Sequence, residues 1–385
     1  MQLAIQTQLV PDADQAASLD TTVHRFNAAA DWLADVAHEN GCANKYELQK
    51  RHYRELRTRF DLSAQMAVRA IAQVAGALRR DRSFRPRFRP DAAMPYDARI
   101  LSRRGDAVSI LTLAGRTIIP FICGKRQQER LDLRWGECDL LRRGDGKWFL
   151  IVTVDVAPRE GPLPREFIGL DFGVENHAAT SDGVLHVAVE VERARRRYAE
   201  KRRRLQIKAA AQTVAGKRAK NVRRKLKTIA RREARFRRDV NHGLSKSLVK
   251  SAGDTGRGLA LELLTRIRDR TRFRKAQRAR MSGWSFAQLR AFVEYKAELA
   301  GVLVSIVSPR NTSRQCFACK YVDKRNRRSQ AEFACVRCGH VDHADVNAAK
   351  NIAYRAAVNL PLVSMLVLMR ELASGTSSVP QGGVA

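Results

Sequence analysis

Four cysteines in two closely spaced pairs are the residues of this chain best suited to bind a metal. Two residues separate Cys316 from Cys319, two separate Cys335 from Cys338, and fifteen lie between the pairs. Pairs spaced about one hairpin apart place four thiolates around one tetrahedral position, which is a ligand set typical of Zn²⁺. Because cysteine fills all four positions, the predicted zinc site is structural and leaves no open position for a reacting water.

Three carboxylates are the candidates for catalysis. Asp171 ends a hydrophobic strand, Glu262 lies at the end of a second apolar run, and Asp345 opens a helix just after the cysteine pairs. A carboxylate is costly in an apolar strand unless positive charge balances it, and Mg²⁺ is a hard cation that takes oxygen ligands. Carboxylates converging from two strands and a helix could hold two Mg²⁺ ions, or Mn²⁺ in their place, about 3.5–4 Å apart, as in two-metal phosphodiester hydrolysis.

Each of these acids also has an ordinary structural interpretation. Asp171 could be a turn residue, Glu262 a partner in a salt bridge, and Asp345 a helix N-cap, which is a common role for Asp. For any one acid alone, the structural interpretation is preferred. Three acids in this order, each tied to an apolar strand or to the cysteine pairs, favour the catalytic one.

The elements that must position these acids are predicted from the spacing of apolar residues. Phe167–Asp171 is predicted to be a strand, followed by a Gly-bearing turn and a second strand. Three further groups of elements follow: strongly cationic helices over 190–250, strands over 258–264 and 302–307, and helices over 284–301, 344–357 and 360–372.

The amino-terminal half of the chain has a different pattern. Residues 1–10 are predicted to form a strand, and three amphipathic helices fill the chain from residue 14 to residue 80. Short alternating runs between residues 96 and 157, one of them at Leu131–Arg134, predict an antiparallel β barrel or meander. The helices would then be an insertion into a β domain.

The charge of the chain indicates a polyanionic partner. Lys and Arg number 72 against 39 Asp and Glu, which gives a formal net charge of +33, and nucleic acid is the leading candidate for such an excess. A membrane surface is the second candidate, but the sequence contains no apolar run of about 18 residues that could span a bilayer. Residues 191–240 carry 21 basic residues against four acidic ones, and the run from Arg79 to Arg89 alternates arginine with aromatic residues and proline. The predicted nucleic-acid contacts are Arg80, Arg85, Arg87, Arg202, Arg203, Arg223, Arg224, Lys225, Arg231 and Arg232.

At these motifs the chain resembles TnpB, the RNA-guided nuclease of bacterial insertion sequences, and its relatives the miniature type V CRISPR effectors. Residues 169–174 are similar to the first RuvC motif of that family, Glu262 stands at the second, and residues 345–352 are similar to the third. Residues 310–316 with the paired cysteines are similar to the family's target-nucleic-acid-binding ribbon. Two more segments follow the family pattern, residues 241–246 and 284–290.

The resemblance implies an α+β multidomain fold. It has a β-barrel wedge domain with a helical recognition insertion, and an RNase H-like (RuvC) α/β domain into which a four-cysteine zinc ribbon is inserted. The expected boundaries are 1–10 and 82–160 for the wedge, 11–81 for the recognition helices, 161–310 and 341–373 for RuvC, 311–340 for the ribbon, and 374–385 for a disordered tail.

The resemblance also implies an activity: RNA-guided cleavage of DNA beside a short flanking motif. It assigns catalysis with Mg²⁺ to Asp171, Glu262 and Asp345, structural Zn²⁺ to the ribbon, and guide RNA and target double-stranded DNA as partners. A monomer or homodimer on one guide RNA, in the bacterial cytoplasm at the nucleoid, is expected. Two residues depart from the family pattern: Leu263 where an acid usually follows Glu262, and Lys320 where Gly is common.

Three other functions compete with a guided nuclease. A guided DNA-binding repressor would bind without cutting, but relatives of that kind have usually lost acids that are all present here. A structural RNA-binding zinc-ribbon protein would explain the charge and the cysteines and leave the three acids unexplained. A DDE-type transposase would share carboxylate chemistry, but the motif at 345–352 after four cysteines does not point to one.

Overall fold

The computed structural model of the chain describes residues 1–173, 175–187, 189–263 and 286–375, with the side chains of residue 126 and residues 361–375 excepted. The backbone forms two compact units, Met1–Ala157 and Pro158–Ala385. Within the described ranges, no helix combines the length and the apolar character needed to cross a bilayer.

The first unit is built around a seven-stranded antiparallel sheet that forms a nearly closed barrel, with strand order β2-β6-β7-β1-β5-β4-β3. Strand β1 pairs with β7 along its whole length and with β5 at its end. Alternate side chains such as Ile5, Ile110 and Val152 point into the core. The strands are β1 (Gln2–Leu9), β2 (Met94–Tyr96), β3 (Leu101–Arg104), β4 (Ala107–Thr112), β5 (Gly115–Ile122), β6 (Trp135–Arg142) and β7 (Trp148–Asp155).

Three helices lie between β1 and β2, as the sequence predicts: α1 (Ala13–Glu39), α2 (Lys45–Phe60) and α3 (Ala64–Arg80). Asp12 begins α1 with a capping box, in which its carboxylate accepts a bond from the Gln15 N–H and the Gln15 side chain accepts one from the Asp12 N–H. The apolar stripes of these helices join the barrel residues in one hydrophobic core.

One strand prediction in this unit is wrong. Leu131–Arg134 is not a strand: helix α4 (Lys125–Leu131) ends there, and β6 begins only at Trp135. The Leu131 carbonyl accepts bonds from the Arg103 guanidinium at 2.7 Å and the Trp135 indole at 2.8 Å, which satisfies the end of the helix. Four residues of alternating polarity are too few to separate a helix end from a strand.

The second unit has a five-stranded mixed sheet with order β10-β9-β8-β11-β12. The strands are β8 (Phe167–Asp171), β9 (Asn176–Thr180), β10 (Leu185–Val187), β11 (Gly258–Glu262) and β12 (Val304–Val307). Strands β8, β11 and β12 are parallel neighbours, whereas β9 runs antiparallel to β8. The carboxyl ends of the three parallel strands therefore meet at one edge of the sheet.

Four helices accompany this sheet: α5 (Val189–Val214), α6 (Lys220–Asp254), α7 (Phe286–Ala300) and α8 (Ala344–Gly375). Helices α6 and α7 join through the motif at 241–246, because the Asn241 amide donates to Gln288 Oε1 at 3.0 Å and the Lys296 ammonium to Ser245 Oγ at 2.6 Å. The two helices predicted over 344–357 and 360–372 are one helix, α8. The predicted helix start at Trp284 lies outside the described residues. Of the tail predicted over 374–385, residues 374 and 375 belong to α8 and residues 376–385 lie outside the described residues.

A small ribbon precedes α8. It consists of the strands β13 (Glu332–Ala334) and β14 (Val341–His343), paired antiparallel, and a short 3₁₀ turn at Lys324–Asn326. Its compact core contains Cys316, Phe333 and Cys335. A barrel sheet, a mixed α/β sheet and a four-cysteine ribbon together confirm the predicted α+β fold class.

Candidate active site

Asp171 and Glu262 are the last residues of two neighbouring parallel strands. Leu170 of β8 lies opposite Leu261 of β11 in the ladder, so the next residue of each strand is one of the two acids. Neighbouring strands are about 4.8 Å apart. The strand register therefore brings these two carboxylates side by side at the carboxyl edge of the sheet.

Asp345 reaches the same edge from the first turn of α8, which packs across β8. The packing depends on Gly169: a Cβ atom built there would lie 1.9 Å from the carbonyl oxygen of Ala349. Ala348 and Ala349 are buried on this side of the helix. Small residues on both elements thus let the helix approach close enough for Asp345 to join the strand acids.

Two side chains bind the Asp345 carboxylate directly. The Asn176 amide of β9 donates to Oδ2 at 3.0 Å, and the Arg327 guanidinium of the ribbon donates to Oδ1 at 2.8 Å. Only 4% of the Asp345 side chain is exposed. This buried carboxylate is therefore bound by one cationic donor and one neutral donor, and both hydrogen bonds are charge-assisted because the acceptor is ionised.

Negative charge dominates the electrostatics around Asp171. Burial, Glu262 and Asp345 raise the pKa of Asp171 to about 8, and Arg327 opposes that rise. Burial also raises the pKa of Glu262, although the Thr312 hydroxyl, which donates to Oε1, and Arg355 lower it. Arg327 and Arg355 therefore do not fully offset the negative charge of the three acids, and a divalent cation would supply further positive charge.

The three carboxylates are neighbours but not a tightly assembled ligand set. Within the described parts of the chain, one group of metal-binding side chains has its donor atoms all within 4.8 Å of one another, and that group is the four cysteines. Asn176 and Arg327 bind the carboxylate of Asp345, and Thr312 binds that of Glu262.

The four cysteines fit a tetrahedral metal closely. Their sulfurs lie 3.7 Å apart between Cys316 and Cys338 and 3.6 Å apart between Cys319 and Cys335. Four sulfurs at the usual Zn–S distance of about 2.3 Å would be about 3.8 Å from one another. The spacing and the all-thiol donor set are thus compatible with the predicted structural zinc.

Two asparagines of α8 tie the helix to the start of the ribbon. The Asn347 amide donates to the Gln315 carbonyl at 2.9 Å, and its oxygen accepts from the Phe317 N–H at 3.0 Å. The Asn351 amide donates to the carbonyls of Gln315 at 2.7 Å and Thr312 at 3.1 Å. The motif around Asp345 therefore carries the acid and also joins the ribbon to the helix.

Three residues of the site were not assigned a role from the sequence: Asn176, Thr312 and Arg327. Thr312 stands within the motif at 310–316, so its position carried a signal, whereas Asn176 lies two residues beyond the motif at 169–174. Arg327 is one of several arginines in the ribbon, and no sequence signal singled it out, because only the folded ribbon shows which arginine reaches Asp345.

The predicted nucleic-acid contacts differ in their surroundings. Arg85 is paired with Asp31 and Asp35 on α1, and Arg202 is paired with Glu233 on α6. The other eight side chains are exposed: Arg80, Arg87, Arg203, Arg223, Arg224, Lys225, Arg231 and Arg232. Arg223 and Arg224 also line a cleft of about 700 Å³ at the turn between α5 and α6, together with the basic residues Lys217, Arg218, Lys220 and Lys227.

Two family profiles match parts of the chain between residues 150 and 352. Residues 150–258 match the family OrfB_IS605, described as a probable transposase, and residues 286–352 match the Cas12f1-like TNB domain. These segments contain Asp171, Asp345 and the four cysteines.

Individual relatives agree with these families. The chain is 32% identical to the CRISPR-associated endodeoxyribonuclease Cas12f1 of Sulfoacidibacillus thermotolerans, over 54% of this chain and 50% of that protein. It is 35% identical to a TnpB-like protein of Methanocaldococcus jannaschii, over 33% of this chain and 47% of that protein. The chain therefore spans about half the length of these relatives.

The fold is also found in solved structures. A Cas12f1 chain in a cryo-EM complex with guide RNA and target DNA matches with a TM-score of 0.59 at 15% identity, over 87% of this chain and 82% of that chain. These matches confirm the resemblance predicted from the motifs. Over part of its length, the chain is thus similar to the TnpB-like proteins and to the Cas12f1 endodeoxyribonucleases.

Proposed function

We propose that this protein is an RNA-guided DNA endonuclease that hydrolyses phosphodiester bonds with two Mg²⁺ ions. One observation carries the proposal: two strand ends and a helix start bring Asp171, Glu262 and Asp345 together, and Asp171 has a pKa of about 8. A purely structural trio of buried acids would be expected to have counter-ions for each member. Among the described residues, Asp345 is the one acid of the three that forms an ion pair with a guanidinium, that of Arg327.

The three acids suit Mg²⁺ in their chemistry. They offer only carboxylate oxygens, the ligands that this hard cation prefers, and their mutual repulsion favours cation binding. Bound Mg²⁺ would activate the attacking water and offset the charge that develops on the leaving 3′ oxygen. Asp171, Glu262 and Asp345 are the residues that would hold it.

The other residues of the site position these ligands. Asn176 and Arg327 fix the two oxygens of Asp345, and Thr312 donates its hydroxyl to one oxygen of Glu262. Arg327 and Thr312 belong to the ribbon and its approach, so a structural Zn²⁺ on the four cysteines would act at a distance by keeping both residues in place.

Guide RNA and target DNA are the proposed partners. The exposed basic residues of α5 and α6, and the basic cleft at the turn between them, offer a phosphate-binding surface. In guided effectors the sequence is read by base pairing, whereas the protein binds backbone shape and a short flanking motif. A surface of arginine and lysine without many acidic partners suits that role.

The proposal is tested with Asp171→Ala and a matched control, Asp182→Ala. Asp182 lies in the turn after β9 and forms a salt bridge with Arg257. The Asp182→Ala variant therefore loses an acid that lies next to the same sheet but not in the candidate site. Both variants are purified with the RNA expressed from the native flanking DNA and incubated with target plasmid and Mg²⁺. We expect Asp171→Ala to bind target without cutting it and Asp182→Ala to cut it. Cutting by Asp171→Ala would refute the assignment.

A further inference from the structure

The loop that follows strand β12 carries a side chain that binds one of the three acids. Val307 ends β12 and lies opposite Glu262 in the parallel ladder, so the chain leaves the sheet beside that acid. Five residues later the buried Thr312 donates its hydroxyl to Glu262 Oε1. The direction of the Glu262 carboxylate therefore depends on the path of the loop over 308–315.

Arg355 of α8 holds this loop at three points. Its guanidinium donates to the carbonyl oxygen of Ser308 at 2.9 Å and to that of Arg310 at 2.7 Å. It also donates to Gln315 Oε1 at 2.7 Å. These acceptors lie on both sides of Thr312 in the chain. One side chain of the helix thus fixes the beginning, the middle and the end of the loop.

The acceptors that the guanidinium binds are all neutral. Among the residues that the structure describes, no carboxylate forms an ion pair with Arg355, although this residue is partly buried. Moving a cation away from water costs free energy when no counter-ion is near. A planar guanidinium with five N–H donors in a fixed fork can bind several acceptors of one loop at once, whereas a lysine ammonium lacks that geometry. The arginine therefore suits the task of holding a backbone path.

Asn351 supports the same loop from one helical turn earlier on the same face of α8. Its amide donates to the carbonyls of Thr312 and Gln315. Because Asn351 binds the backbone of Thr312 and Arg355 binds the residues around it, the two side chains divide the work. Loss of Arg355 alone would leave the end of the loop in place and free its beginning.

We propose that Arg355 is a positioning residue for metal binding at Glu262, and that it acts through the loop over 308–315 and the Thr312 hydroxyl. With the loop held, the hydroxyl stays on Oε1 and restricts rotation of the carboxylate. Residues that orient a metal ligand commonly raise metal affinity by about 10–100-fold. The inference rests on the proposed function for the metal itself and adds to it a residue that touches none of the three acids.

A direct effect of charge is the alternative to this geometric role. Arg355 follows Asp345 by ten residues on α8, which is about 15 Å along the helix axis, and its positive charge also acts on Glu262. Arg355→Lys separates the two explanations, because lysine keeps the charge and the aliphatic stem and loses the fork. A geometric role predicts that Arg355→Lys behaves as Arg355→Ala does.

Metal binding is measured with Mn²⁺ alone, by the loss of the electron paramagnetic resonance signal of free Mn²⁺, on the full-length protein freed of RNA. We expect Arg355→Ala and Arg355→Lys each to weaken Mn²⁺ binding about tenfold with full zinc content. Arg103→Ala is the control, since Arg103 likewise donates to a backbone carbonyl, that of Leu131, but in the first unit. It should bind Mn²⁺ as the unmodified protein does. Unchanged affinity in Arg355→Ala, or normal affinity in Arg355→Lys, would overturn the proposal.

The route through Thr312 is tested by a double-mutant cycle. Thr312→Val removes the hydroxyl and should weaken Mn²⁺ binding about tenfold, while Thr312→Ser, which keeps a hydroxyl, should restore it. If Arg355 acts through this hydroxyl, the double variant Arg355→Ala/Thr312→Val should bind Mn²⁺ no more weakly than Thr312→Val alone. Multiplied losses in the double variant would show that the two residues act independently and would contradict the route.

Hydrogen exchange reports on the loop without any metal. Amides within 308–315 should exchange faster in Arg355→Ala than in the unmodified protein, and those of β13 and β14 should not. Unchanged exchange in the loop would show that Arg355 does not hold it. If the unmodified protein binds Mn²⁺ no better than Asp171→Ala, the proposed metal site fails. If binding depends on Asp171 while the Arg355 variants bind normally, the positioning role fails alone.

Discussion

Replacing Asp171 by asparagine is expected to stabilise the metal-free protein. The pKa of this carboxyl group is raised from 3.8 in a model compound to about 8 by burial and by the charges of Glu262 and Asp345. Between these two pH values the folded protein retains a proton that the unfolded chain has released. Folding stability must therefore fall as pH rises from about 4 to about 8, and asparagine, which has a similar shape and no charge, removes that loss.

The size of the effect follows from the pKa difference. Each unit corresponds to about 1.4 kcal/mol, so at pH 7 the ionisation of Asp171 in the unfolded chain alone disfavours folding by about 4 kcal/mol. Asp171 is partly exposed to solvent as a residue, which makes that value an upper bound. For a unit of this size, a few kcal/mol corresponds to about 10 °C in Tm.

The assay is thermal unfolding in EDTA from pH 5 to pH 8. Asp171→Asn should unfold at a higher temperature than the unmodified protein at pH 8, and the difference should shrink toward pH 5. Asp182→Asn is a control of opposite sign: hydrogen bonding to Arg257 lowers the pKa of Asp182, so its loss should destabilise the protein at pH 8. Added Mg²⁺ should raise the Tm of the unmodified protein and not that of Asp171→Asn. A pH-independent difference, or a less stable Asp171→Asn, would refute the electrostatic reasoning.

Three further predictions concern the parts that surround the acids. Cys335→Ser should lower zinc content well below one ion per chain by elemental analysis, and full occupancy would contradict the four-cysteine site. Arg327→Ala should destabilise the metal-free protein by about 1–3 kcal/mol, because one buried oxygen of Asp345 is then left without a donor. Arg328 is exposed, and Arg328→Ala should change the free energy of unfolding by less than about 0.5 kcal/mol. Equal effects of the two substitutions would argue against the ion pair between Arg327 and Asp345. Gly169→Ala should lower the free energy of unfolding by about 3 kcal/mol or more in chemical denaturation, since its Cβ would meet the Ala349 carbonyl. Gly243 lies in open space on α6, and Gly243→Ala should raise that free energy by about 0.5–1 kcal/mol. An unchanged stability of Gly169→Ala would disprove the close packing of α8 on β8.

Much of the site could be predicted because local sequence fixes it. Two cysteine pairs at hairpin spacing already define a tetrahedral ligand set, and the structure brings their sulfurs within 4.8 Å of one another. Asp171 and Glu262 each end a short apolar run, and parallel strands then bring their last residues to one edge. Helix periodicity likewise located α1, α2 and α3 within a few residues.

The remaining features depend on tertiary contacts that one sequence does not display. A count of basic residues cannot show that Arg85 and Arg202 are paired with acidic side chains or that Arg327 reaches Asp345. The short helix α4 was mistaken in part for a strand, because its end at Leu131 is fixed by bonds from distant side chains. The sequence predicted two helices, over 344–357 and 360–372, because each range has its own apolar pattern, whereas the structure has one continuous helix, α8.

Guide-dependent DNA cleavage tests the central claim most directly. The protein is expressed with its native flanking DNA, the co-purifying RNA is sequenced, and plasmids that match or do not match its variable end are incubated with the complex in Mg²⁺ or EDTA. The account predicts one dominant RNA and linear product only from the matching plasmid in Mg²⁺. Bulk cellular RNA without a dominant species, or cutting that ignores the guide or the metal, would contradict it.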